Sequence, residues 1–551
     1  VERLPGSSVS GAKDGLERTQ ARSTDTMRFD RSAGILAHPT SFPGAHGIGD
    51  LGHHAYQFID WLVTANQRIW QVLPLGPTGF GNSPYASPSA FAGNPLFISL
   101  DFLRDQGLLQ DNRITPAWPF PEHDVNFDAV IPFKTEALWD AFDASLQPDS
   151  GFDHDLLSRF VQEESTWLDD YALFMAIKDH FGGGHWLDWP LEVRVRRPAA
   201  LAGLRAQLIR HVEFHTFVQF VFRQQWFDLK RYANERGIRI VGDVPIYVAS
   251  DSADVWANQQ EFRLDAEGSP TVVSGVPPDL FTEHGQLWGN PIFNWRHMAG
   301  NQFAWWRRRI EEIRKLVDII RIDHFRGFAA GWVVPATDQT ARTGHWEAGP
   351  GRAIFDAIEE DLGELPIVVE DLGLITPDVH ALRQELQLPG MKVLQFAFDG
   401  NSRSQYLPHM YDPNCVVYPG THDNQTTVGW FQSISDESRR QVQTYLGTDG
   451  SDIAWDLARL ALASVADMAI VTLQDIMRLG DEARMNTPGV AVGNWRWRYM
   501  EHQLHGGLAA GLGEITHSYG RTPVVPQSFE PDPFDYSAPG TEHGLAGAID
   551  S

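Results

Sequence analysis

Short apolar runs that end abruptly in charge recur along this chain and organise it. Ile319, Ile320 and Ile322 have the β-branched character of a buried strand, interrupted by Arg321 and closed by Asp323. Gly327 is then expected to release the backbone into a turn. Similar strand-like runs are read at 34–37, 69–74, 238–243, 366–369, 393–397, 415–418 and 469–473. Helical patterning separates most of them. One helix is expected over 53–66. Another has Thr376 as its N-cap, Pro377 in its first turn and Gly390 as its stop.

Eight strands alternating with helices predict an α/β chain folded as a (β/α)8 TIM barrel. Two stretches are too long for simple crossovers. Residues 76–235 carry strong helical periodicity from Leu201 to Tyr232, and 250–300 are rich in Trp, Gly and Pro. They are read as large, mainly helical insertions after strands 2 and 3, within a catalytic unit spanning 31–520. A doubly wound open sheet is the competing arrangement, but no Gly-rich dinucleotide fingerprint follows an early strand. Residues 1–30 lack periodicity and are expected to form a loose leader; 521–551, acidic and Pro-rich, read as a flexible tail.

Charge narrows the partners. The 551-residue chain carries a formal net charge of −27, which opposes nucleic acid and anionic membranes. No run approaches the roughly 18 apolar residues of a membrane span. The start of the chain has no apolar signal-peptide core. Cys415 is the single cysteine, so no intrachain disulfide can form. The expectation is a cytoplasmic protein with an inert core thiol. Nineteen tryptophans would suit a sugar-binding surface as readily as a large core.

Four strands end in acid: Asp243, Asp323, Glu370 and, just past its strand, Asp423. In a barrel all four converge on the C-terminal rim, where such folds carry their chemistry. Clustered carboxylates hold a metal or work on an acetal. Arg321 and His422 beside the acids oppose a dense cation site and suit hydrogen bonds to sugar hydroxyls. Period-two alternation puts Arg321 and Asp323 on one side of their strand, so the arginine is expected to keep Asp323 ionised as a nucleophile. Glu370 follows an apolar run, and desolvation is expected to hold it protonated as the general acid. Asp423 and His422 would grip hydroxyls beside the reacting carbon. Asp243, at a strand end, is read as a donor-sugar ligand, and Asp371 as a residue that orders its loop.

The ordered series is more specific than the acids alone. It includes His38-Pro39-Thr40-Ser41, Ser83-Pro84-Tyr85, Gly242-Asp243-Val244-Pro245 and Asp251-Ser252-Ala253-Asp254-Val255-Trp256. It continues through Gly275-Val276-Pro277-Pro278-Asp279 and Gly285-Gln286-Leu287-Trp288-Gly289-Asn290-Pro291. Arg321-Ile322-Asp323-His324-Phe325-Arg326-Gly327, Val369-Glu370-Asp371, Gly420-Thr421-His422-Asp423-Asn424, Ala483-Arg484-Met485-Asn486 and Gly493-Asn494-Trp495 complete it. From about residue 30 to 500 the chain resembles the 4-alpha-glucanotransferases called amylomaltases or disproportionating enzymes, relatives of the α-amylase clan.

The resemblance implies transfer of α-1,4-glucan segments between maltodextrins by a retaining double displacement. An amylase-like hydrolase using the same residues is the alternative. Asp323 would be the nucleophile, Glu370 the acid and then base, and Asp423 the third catalytic acid. Retention implies carboxyl groups roughly 5–5.5 Å apart. Substrate-binding candidates are Arg321, His422, Asp243, Tyr85, Ser83, Asp279, Glu283, Gln286, Trp288, Asn290, Asn486 and Asn494. The implied partners are maltodextrins, amylose and glycogen-derived chains, with no cofactor and no metal.

Overall fold

The computed structural model describes residues 29–278 and 283–522. Most of the leader, most of the tail and Asp279 lie outside the described residues. Eight strands close into an all-parallel barrel: β1 (Ser32–Leu36), β2 (Ile69–Gln71), β3 (Arg239–Pro245), β4 (Ile319–Asp323), β5 (Ile367–Val369), β6 (Gly390–Val393), β7 (Cys415–Tyr418) and β8 (Met468–Thr472). Each pairs with its neighbours in sequence, and β8 closes on β1.

Alternation sorts the side chains into two cores. Leu36, Ile69, Val241, Ile319, Val368 and Met468 pack together inside the barrel. Ile35, Trp70, Ile240, Ile320, Val369 and Val471 belong to the larger core shared with the surrounding helices. The parity that points Ile319 inward also points Arg321 and Asp323 inward. The barrel is therefore plugged by apolar residues below and lined by charge at its upper rim.

The first insertion separates β2 from β3 and is largely helical. Its last helix, Ile209–Glu235, packs against the helix Leu168–His180 and also serves as the crossover into β3. Trp226 from that helix donates Nε1 to the carbonyl of Leu316 at 2.9 Å, joining the insertion to the barrel wall. Gly237, in the left-handed region at φ 76°, ends the helix and turns the chain into β3.

Three local expectations need correction. The strand placed at 393–397 begins three residues earlier, at Gly390, so Gly390 opens β6 instead of stopping a helix; the preceding helix, Pro377–Glu385, has already ended. Thr376 precedes that helix without a side-chain cap bond. Gly327 does not make the turn after β4. It lies inside the one-turn helix Arg326–Ala329, and His324 takes the left-handed conformation at φ 53°.

The second insertion carries the helices Ala253–Ala257 and Trp295–Gly300, and also two strands, Val272–Val276 and Gln286–Pro291. These join Ala330–Pro335 and His345–Ala348, from the connection after β4, in a four-stranded antiparallel sheet. That sheet was not anticipated. Its Gly-, Pro- and Trp-rich segments lack clean alternation, and its two halves lie on either side of β4 in sequence.

Candidate active site

Arg321 is the hub of the rim. Asp243 is its register partner on the neighbouring strand. Arg321 Nη1 donates to both Asp243 oxygens, at 2.6 and 2.5 Å, and to Asp323 Oδ1 at 3.0 Å. Its Nε reaches Met391 Sδ on β6 at 3.4 Å. Tyr85, brought in by the first insertion, donates its hydroxyl to Asp243 Oδ2 at 2.6 Å. Asp243 thus takes two donors, and Asp323 receives only a share of the arginine.

Burial dominates the electrostatics of the two central acids. Burial pushes the Asp323 carboxyl well above its ordinary range, and Asp243, Glu370 and Asp423 add to the push while Arg321 opposes it. Asp323 was expected to stay ionised beside Arg321; burial opposes that, and the guanidinium it relies on is also bound to Asp243. Burial likewise raises Glu370 to about 7, against the pull of Arg321. Glu370 accepts hydrogen bonds from the backbone N–H of His324 at 2.9 Å and of Leu372 at 2.7 Å. Burial thus pushes both carboxyls upward, and Glu370 can hold a proton near neutral pH.

On the opposite side, Asp423 Oδ1 accepts from Asn486 Nδ2 at 2.6 Å and lies 3.3 Å from His422 Nε2. Arg484 holds the Asp423 carbonyl at 2.6 Å. His422 stacks on Tyr85, with ring centres 5.3 Å apart and planes 12° apart. Burial lowers the His422 imidazole below its ordinary value, with Asp423 opposing that shift. A mostly neutral His422 can offer one donor and one acceptor to a hydroxyl pair. Trp288 stands edge-on to His324 at 4.7 Å, so the small sheet overhangs the turn that follows Asp323.

The remaining candidates serve this framework at one remove. Ser83 Oγ caps the single turn that presents Tyr85, accepting from Tyr85 N at 3.2 Å. Gln286 accepts from Trp288 Nε1 at 3.2 Å. Asn290 spends its amide inside the insertion, on the Val248 carbonyl at 2.9 Å and on Ser274 at 3.3 Å. Asn494 accepts from Thr487 N and donates to the Val490 carbonyl, closing the 487–494 turn. Glu283 is exposed and engaged by Arg342 at 2.8 Å. Asp371 orders its loop, accepting from Met391 N at 2.7 Å and pairing with Arg383.

Two contributors were missed. Met391 carries no polar signal in the sequence. His324 acts through its backbone N–H, aimed at Glu370 by a left-handed φ that no motif spells out. Among the described residues, no three His, Cys, Asp or Glu side chains gather closely enough to hold a metal ion. None of the described helices is long and apolar enough to cross a membrane.

Comparison with known proteins gives the site a context. A family model described as 4-alpha-glucanotransferase matches residues 37–503. The 4-alpha-glucanotransferase of Synechocystis sp. is 50% identical over 504 residues, covering 90% of this chain and 99% of the relative. That of Thermus thermophilus is 46% identical over 503 residues, covering 89% and 99%. Among solved structures, an amylomaltase from Streptococcus agalactiae in complex with acarbose superposes with a TM-score of 0.87 at 39% identity, over 89% of this chain and 100% of that one.

Proposed function

Because the chain belongs to the 4-alpha-glucanotransferase family, we propose that the rim acids carry out glucan transfer in two displacements at one anomeric carbon. Asp323 attacks the anomeric carbon of the donor glucan as its carboxylate, while Glu370 holds a proton. Glu370 gives its proton to the departing glycosidic oxygen. The freed chain leaves, and the remaining glycosyl group is covalently bound to Asp323. An acceptor 4-hydroxyl then loses its proton to Glu370 and attacks the same carbon, releasing Asp323. Two inversions give net retention.

The observation that supports this reading best is the placement of Asp323 and Glu370 at the ends of adjacent parallel strands, both raised by burial, with Arg321 anchored to Asp243 between strands. Tyr85, His422 and Asp423 surround the donor sugar in this scheme, and Asn486 orients Asp423 toward its hydroxyls. The substrates are α-1,4-glucans such as maltodextrins.

Product analysis on pure maltotriose tests it. Transfer yields glucose and a ladder of longer maltodextrins with nearly constant total reducing ends. Steadily rising reducing ends would identify a hydrolase using the same residues. No change of any kind with folded protein would overturn the catalytic reading.

A further inference from the structure

One cation beyond the catalytic rim ties three segments together. Arg326 lies three residues after Asp323 and is only 4% exposed. Its Nη1 donates to the carbonyl of Leu374, on the loop that follows Glu370. Its guanidinium carbon lies 3.8 Å from the centre of the Trp346 indole, on the outer strand of the small sheet. Trp346 meets Trp332 edge-on at 5.2 Å, and Trp332 donates Nε1 to the Ala341 carbonyl at 2.8 Å. Just past that strand, Gly349 N and Gly351 N donate to the carbonyls of Ala329 and Phe328, each at 2.8 Å. The strand is thereby pinned against the turn after Asp323.

A ring held this firmly could have been buried. Instead Trp346 remains 37% exposed and Leu374 61% exposed. Single exposed apolar residues are ordinary, but here an indole backed by a cation and a bare leucine are joined through one guanidinium. A glucose ring offers an apolar C–H face suited to such a surface. The side of the rim is informative too. Leu374 follows Glu370, the group that handles the departing and arriving oxygens, whereas Tyr85, Asp243 and His422 lie toward the donor.

We propose that Trp346 and Leu374 form an outlying subsite for the acceptor glucan, and that Arg326 is a positioning residue holding this subsite in register with Asp323 and Glu370. The proposal rests on the transfer reading above. It concerns acceptor units beyond the one that supplies the attacking hydroxyl, so its effect depends on acceptor length.

The test is transfer from α-maltotriosyl fluoride to glucose or to maltopentaose, read as the ratio of the two acceptor kcat/KM values. Trp346→Ala is expected to lower the maltopentaose-to-glucose ratio about tenfold and Leu374→Ser about threefold, while Trp346→Phe largely restores it. Leu374 is a surface side chain, so its variant decides the matter should Trp346→Ala fail to fold. Arg326→Lys is expected to raise the KM for maltopentaose with kcat little changed. A lower kcat at constant KM would overturn its positioning role. An unchanged ratio in folded Leu374→Ser and Trp346 variants would overturn the subsite. Absence of transfer by the parent enzyme would instead overturn the functional reading on which the subsite rests.

Discussion

Two clusters of buried charge sit in this molecule, and their balance differs. Between the first insertion and the barrel helices, Glu164 and Glu312 meet Arg223 and Lys315, two acids against two bases. All four are nearly inaccessible to water. Burial raises the Glu164 carboxyl, but Arg223, hydrogen bonding with Glu312, and Lys315 outweigh it and leave Glu164 at about 2. Glu312 is shifted upward, by burial first and also by Glu164. At the rim, Arg321 stands among Asp243, Asp323, Glu370 and Asp423, and the carboxyls of Asp323 and Glu370 are driven upward. A balanced cluster that is closed to water joins elements together. An unbalanced one at an open strand end keeps a proton available near neutral pH.

Substitutions should separate the two clusters most sharply. Asp323→Asn is expected to cut transfer by about 10⁴-fold and Glu370→Gln by about 10³-fold, measured as initial rates on maltotriose, with cooperative unfolding retained. Arg223→Met should do the reverse. Leaving two buried carboxylates short of a cation costs on the order of 3–5 kcal/mol, seen as a lower denaturation midpoint, while kcat per folded molecule holds.

The pH response sharpens the comparison further. Glu370 loses its proton as pH rises through about 7, so kcat/KM should fall above that value, approaching tenfold per pH unit. Stability follows with a defined sign. A carboxyl whose folded pKa is raised contributes stability below its unfolded pKa, and that contribution disappears as pH rises through the folded value. Glu370→Gln cannot ionise, so at pH 8 it should be more stable than the parent by on the order of 3 kcal/mol. At pH 4 the difference should vanish. Equal stability at both pH values would refute the shift. A smaller effect is expected for Tyr85→Phe. Loss of its hydroxyl from Asp243, which Arg321 still holds, should cost on the order of 1–2 kcal/mol in kcat/KM.

Much of this was legible in the chain because buried strands and long helices have regular periods. The eight barrel strands were readable as apolar runs, and the acids at their ends marked the rim. The apolar repeat from Leu201 to Tyr232 marked helix there, but the structure divides it between Pro198–Gln207 and Ile209–Glu235. The small antiparallel sheet was not, since Trp288, Gly289 and Pro291 read as a loop until Val272–Val276, itself paired with Ala330–Pro335 from beyond β4, is placed beside them. Nor was the division of Arg321 between Asp243 and Asp323, which is set by register across strands 78 residues apart. Local reasoning paired Arg321 with Asp323 because they are close in sequence. The fold gives Asp243 the larger share, and burial then raises Asp323 against what remains of the arginine's pull.

The central claim is that Asp323 forms a covalent bond to the glycosyl group, with Glu370 supplying and removing the proton. It is tested most directly by mass spectrometry of Glu370→Gln after exposure to α-maltotriosyl fluoride, whose leaving group needs little acid assistance. An adduct of one maltotriosyl unit is expected to accumulate on the proteolytic peptide that contains Asp323. An adduct on another carboxylate, or turnover of the fluoride to products of inverted configuration with no adduct, would contradict it.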